Sequence, residues 1–105
     1  MWPEINVTAD QEIIELEFPQ RYAFDSLQGG EIPVHVKLER SEHHRFLMVN
    51  KTMFRRGLIV GSTYIHPNYQ GELSIYVRNI TAHMVEVDKG EVFAHIVTVK
   101  NTPSA

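Results

Sequence analysis

The sequence predicts an all-β domain, a distorted sandwich or jelly roll. Three observations lead there. Short runs rich in Val, Ile, Phe and Tyr recur along the chain, several alternating apolar with polar residues. Clusters of Gly, Pro, Asn, Asp and Ser separate them at regular intervals. No stretch carries a helical period of useful length; residues 51–56 come nearest and are too short to stand alone.

Taken in order, residues 12–18 (EIIELEF) and 33–39 (PVHVKLE) give strands with one face for a core and one for solvent. Residues 45–49 (RFLMV) and 57–61 (GLIVG) are short and more evenly apolar. Residues 72–77 (ELSIYV), 83–87 (HMVEV) and 91–99 (EVFAHIVTV) complete the set. The turns are expected at Gln28-Gly29-Gly30, Ser41-Glu42-His43-His44, Pro67-Asn68-Tyr69-Gln70-Gly71 and Asp88-Lys89-Gly90. Pro67 fixes one turn dihedral, and Gly71 relieves the backbone as the chain leaves that turn. Residues 57–79 therefore read as a strand, a tight hairpin over residues 65–69, and a return strand.

The 105 residues fit one domain, 1–105, with the polar residues 101–105 as a frayed tail. A core of this size is thin, which favours association of copies; Trp2 is expected to anchor the first strand or touch a neighbour. Ten basic against thirteen acidic residues give a net charge of −3, which argues against nucleic-acid binding through a basic face. The absence of cysteine excludes disulfides, thiolate metal sites and a cysteine nucleophile. No apolar run is long enough to span a membrane, and the start MWPEINVTADQ lacks a signal pattern, so a soluble intracellular protein is expected. The histidines (His35, His43, His44, His66, His83 and His95) show no spacing that converges on a metal. Arg45, Lys51, Arg55 and Arg56 form a basic cluster that either faces phosphate or is solvated surface.

One segment is more specific. The run Thr63-Tyr64-Ile65-His66-Pro67-Asn68-Tyr69-Gln70-Gly71-Glu72 resembles the third motif of the dUTPase / dCTP-deaminase superfamily, Gly-Val-Ile-Asp-x-Asp-Tyr-Arg-Gly-Glu. Gly90-Glu91-Val92-Phe93-Ala94-His95-Ile96 is similar to its fourth motif, Gly-Asp-Arg-Ile-Ala-Gln-Leu. Asn50-Lys51-Thr52-Met53-Phe54-Arg55-Arg56-Gly57-Leu58 is similar to its second, and the spacing from Gly57 to His66 needs no gap. The resemblance covers residues 46–99, with Ala23-Phe24-Asp25 in the place of the first motif.

This resemblance implies a dUTPase-like jelly roll, a homotrimer with sites between subunits, and a hairpin backbone that reads a pyrimidine. The residues it assigns to a nucleotide are Ile65, His66, Tyr69, Gly71, Asn50, Lys51 and His95. Tyr69 holds the place of the tyrosine that packs under deoxyribose; its other reading is a turn aromatic covering the core. The departures bear on catalysis. His66 replaces the carboxylate that helps activate water; an imidazole can serve as a base, or simply as a polar turn residue. Asn50-Lys51 replaces the phosphate-gripping Arg-Ser, and His95 replaces the fourth-motif Gln. The Gly-rich C-terminal arm has no counterpart before Ala105, and the deaminase glutamate would fall near Tyr76. The expectation is a non-catalytic, trimeric binding or structural module of viral or phage type, with a host or viral protein as possible partner. The alternative is a divergent dUTP diphosphatase or a pyrimidine-deoxynucleotide capture protein. No cofactor is expected, except Mg2+ if a triphosphate is bound.

Overall fold

The computed structural model describes residues 5–7 and 13–99. The expectations for Trp2 and for residues 101–105 lie outside the described residues.

Among the described residues, ten strands and one short helix follow in chain order. They are β1 (Ile5–Val7), β2 (Ile13–Glu17), β3 (Tyr22–Phe24), β4 (Gly29–Leu38), β5 (His44–Val49), α1 (Lys51–Arg55), β6 (Leu58–Val60), β7 (Tyr64–Ile65), β8 (Gly71–Asn79), β9 (Val85–Val87) and β10 (Val92–Val99). One sheet runs β1-β4-β8-β6 and the other β2-β10-β5-β7, with β3 and β9 paired separately. The predicted all-β sandwich is what forms.

Period-two patterning builds the core. Ile32, Val34, Val36 and Leu38 on β4 and Leu73, Ile75 and Val77 on β8 turn inward from the first sheet. Leu16, Leu47, Ala94 and Ile96 meet them from the second. A shift of register between Val92 and Ala94 lets the neighbours Phe93 and Ala94 both turn inward, as a bulge allows. Phe93 stacks on Phe18 with ring centroids 4.3 Å apart, and Phe24 approaches Phe18 from β3. Tyr22 beside them is partly buried, and that desolvation raises its phenol pKa.

Several expectations are corrected. Gly29 and Gly30 do not form a turn; they open β4, and the turn lies one step earlier, where the Gln28 N–H donates to the Asp25 carbonyl and Leu27 takes φ 62°. Close approach explains Gly29: a Cβ there would sit 2.5 Å from the Val77 carbonyl oxygen and 2.7 Å from the Tyr76 hydroxyl oxygen. Gly61, just past β6, flanks the same residue: a Cβ there would sit 3.1 Å from the Tyr76 ring. Residues 51–55 do form a helix. Asn50 caps it by accepting the Thr52 N–H, and buried Met53 ties it to the core, so packing supplies what its length lacks. Gly57 ends the turn at φ 94°.

The basic cluster does not assemble. Arg45 is fully buried, donating through NH2 to the Glu39 carbonyl, while its Nε and NH1 have no hydrogen-bond partner. Burial lowers its pKa, partly opposed by the Glu39 charge. Arg56 turns away to bond Glu91 and the Glu86 carbonyl. Among the described residues no helix is long and apolar enough to cross a membrane, and no three His, Asp or Glu side chains converge.

Candidate functional site

The stretch between β6 and β8 positions the site. β6 pairs with the far end of β8, Leu58 opposite Asn79 and Val60 opposite Val77. The hairpin expected over residues 65–69 is only partly there. A turn does close at that place, with the Tyr69 N–H donating to the His66 carbonyl. Its two arms, however, join different sheets: β7 pairs with β5, and β8 with β4. The arms splay, and a cleft of about 440 Å3 opens between them, inside the usual range for a small-molecule site.

Hydrogen bonding fixes what the cleft walls present. In an antiparallel strand a residue's N–H and C=O point to one side, and its neighbour's to the other. The Tyr76 carbonyl accepts from Gly61, and the Asn79 N–H donates to Gln28 on the opposite side. Even-numbered residues of β8 therefore turn their backbone to the side of β6 and, beyond the end of β6, toward the cleft. The Glu72 carbonyl confirms this by accepting the Tyr69 hydroxyl at 2.7 Å. Ser74 lies between Glu72 and Tyr76 and aims its N–H and C=O into the gap. On the other arm Thr63 faces β5, its carbonyl accepting the Leu47 N–H, so Tyr64 faces the cleft. The Tyr64 carbonyl takes the Ser62 hydroxyl at 3.3 Å, which leaves its N–H toward the opening. Two strand edges thus confront one another with donors and acceptors on both sides and apolar Leu47, Ile65 and Leu73 between them.

Of the residues singled out from sequence, three line this cleft. Ile65 is buried in its wall, and His66 and Tyr69 stand exposed on the turn. Gly71 does not line it; at φ 114° it starts β8, as the turn requires. Asn50 is occupied as the helix cap, and Lys51 is exposed at the start of α1. His95 lies on β10, its Nε2 3.9 Å from Glu15 on the outer face of the second sheet. Within one chain these last three are not brought to the cleft.

His66 has a defined role in the turn. Its Nδ1 accepts the Asn68 N–H at 3.0 Å. A neutral imidazole has one acceptor nitrogen, so this bond assigns the proton to Nε2 and leaves no lone pair free for proton abstraction.

Sequence reasoning missed Glu31, Ser74, Tyr64 and Tyr76, all of which line the cleft. Glu31 comes from β4, opposite Tyr76, and its Oε2 accepts the Ser74 hydroxyl at 2.8 Å. Their alternation marks them as outward-facing, but the pairing of β4 with β8 is a long-range fact that no local pattern carries.

Comparison with known proteins agrees with this architecture. No family model matches the sequence, and no curated protein does. Among solved structures, the native EIAV dUTPase superposes with a TM-score of 0.76 at 18% identity, covering 91% of this chain and 81% of that one. A mutant dUTPase from phage phi11 of S. aureus gives 0.73 at 14% identity, over 91% and 82% of the two chains. The dUTPase of Staphylococcus bacteriophage 80alpha with dUPNHPP gives 0.73 at 16% identity, over 100% and 79%. These superpositions, over two packed sheets, give this chain a dUTPase-like fold.

Proposed function

We propose that this protein is a non-catalytic dUTPase-fold module that binds a pyrimidine deoxynucleoside or its phosphates in the cleft between β7 and β8, as a homotrimer. The observation that carries the reading is the pair of confronted strand edges at Tyr64 and Ser74. A flat heterocycle with N–H and C=O groups on its rim fits between two such edges, satisfying backbone groups that otherwise need water. Tyr69, 39% exposed at the mouth, offers a ring face to a sugar. The bond from Asn68 to His66 supports binding over hydrolysis, because it occupies the lone pair a general base would use.

Association of copies is supported by the outer face of the second sheet. Ile13, Val97, Phe46 and Tyr64 stand in register across β2, β10, β5 and β7, an apolar row reaching from edge to edge. Exposed Met48 and Phe54 extend it. Asn50, Lys51 and His95 lie apart from the cleft of their own chain, so a shared site requires a neighbour's copies of them. The second reading, a divergent dUTP diphosphatase, is favoured by the likeness to an enzyme structure holding dUPNHPP.

Calorimetry with dUMP and dCMP, beside a pyrophosphate-release assay on dUTP and dCTP with Mg2+, tests the proposal. Saturable binding without turnover is expected, with Tyr69→Ala abolishing it. Turnover removed by His66→Ala would establish the enzymatic reading instead, and a monomer at micromolar concentration by sedimentation would remove the trimer.

A further inference from the structure

The cleft has a polarity that its backbone edges alone do not give. Those edges offer N–H and C=O groups alike, so they suit either tautomeric pattern of a pyrimidine rim. Two side chains of the β4–β8 wall, Glu31 and Ser74, do not. Ionised Glu31 has acceptors only. Its Oε2 already takes the Ser74 proton, and its other oxygen is an acceptor as well. The Ser74 hydroxyl has spent its single proton on Glu31, so its oxygen keeps only lone pairs to offer. The Tyr69 hydroxyl has likewise spent its proton on the Glu72 carbonyl. Glu31 and Ser74 on this wall are therefore acceptors at once, and the Tyr69 hydroxyl on the turn joins them. On the same turn as Tyr69, His66 in its assigned tautomer presents an N–H through Nε2.

We infer that the cleft selects a 4-aminopyrimidine, a cytosine-type base, over a 4-ketopyrimidine, with Glu31 as the specificity-determining residue. This rests on the proposed reading of the cleft as a pyrimidine site. An exocyclic amine brings two N–H donors to this pair of acceptors. A keto group brings lone pairs to the same wall and meets a carboxylate with nothing to share. Hydrogen bonds to a charged acceptor are the stronger ones, so the discrimination is expected to be about tenfold or more.

Titration of the full chain with deoxycytidine and deoxyuridine, by calorimetry and by chemical-shift perturbation, tests it. Unphosphorylated nucleosides keep the phosphates out of the comparison. Deoxycytidine is expected to bind about tenfold or more tightly than deoxyuridine. Glu31→Gln supplies an amide donor and is expected to bring the two within about threefold or to invert them. Ser74→Ala frees Oε2 and is expected to keep the cytosine preference. Glu31 and Ser74 are exposed, so neither variant threatens the core. Equal or uracil-preferring binding by the wild type, or an unchanged ratio in Glu31→Gln, overturns the inference while leaving the cleft as a pyrimidine site. Failure of both nucleosides to bind or to shift any resonance around Tyr69 overturns the site reading and the inference with it.

Discussion

The two halves of β8 are finished differently. At its C-terminal end, Asn79 is fully buried and fully bonded. Its Nδ2 donates toward the Phe24, Asp25 and His83 carbonyls, and its Oδ1 accepts from the Thr81 N–H and hydroxyl. This one side chain joins the end of β8 to β3 and to the loop before β9. Along the N-terminal half, Ser74 faces open space, and the cross-bond from Tyr69 to Glu72 sits at the surface. The contrast shows how a thin β domain holds a cleft open. Exposed strand edges tend to close on one another or on a stranger. Here β7 is held away by its pairing with β5, while β8 is fixed by β4 along its length and by the Asn79 hub at its end.

Breaking the closed end should cost most. Asn79→Ala removes a buried hub and strands several carbonyls, so urea unfolding should show a loss of about 3 kcal/mol or more. Next comes Gly57, beside the same hub. A Cβ there would lie 2.0 Å from Thr81 Cγ2, with φ at 94°. Gly57→Ala should cost about 2 kcal/mol. Adding Thr81→Ser removes the clashing methyl but keeps the hydroxyl that bonds Asn79. The double variant should recover the steric part and retain only the backbone strain, about 1 kcal/mol. Failure to recover would mean the loop before β9 cannot adjust. At the open end the effect should be smallest: Tyr69→Phe removes one exposed bond and should change stability by less than about 1 kcal/mol in the same assay. A loss as large as that of Asn79→Ala would erase the distinction between the halves.

Much of the fold was legible because burial writes itself locally. The alternation of Ile32, Val34, Val36 and Leu38, or of Leu73, Ile75 and Val77, states which face is inside without reference to any partner. The turns at residues 67–71 and 88–90 were legible for a similar reason, since Pro67, Gly71 and Gly90 each satisfy a constraint of their own backbone. The pair Gly29-Gly30 misled because glycine answers two demands: a turn needs its freedom, but at Gly29 the Val77 carbonyl and the Tyr76 ring need its missing side chain. The helix over residues 51–55 was legible as a candidate, but its stability comes from Met53 in the core.

The sequence by itself determined seven of the ten strands among the described residues, missing β1, β3 and β7, together with the inward faces of the long strands, the turn that carries His66 and Tyr69, and the motif likeness that pointed to this fold. The tertiary structure alone decided that the arms of that turn join different sheets, that Asn50 and His95 lie away from the cleft, and that Glu31 meets Ser74 across β4 and β8. The physical reason is range. A side chain's period and a turn's dihedrals are settled among neighbours in the chain, whereas Glu31 and Ser74 are 43 residues apart and meet only through the register of two strands.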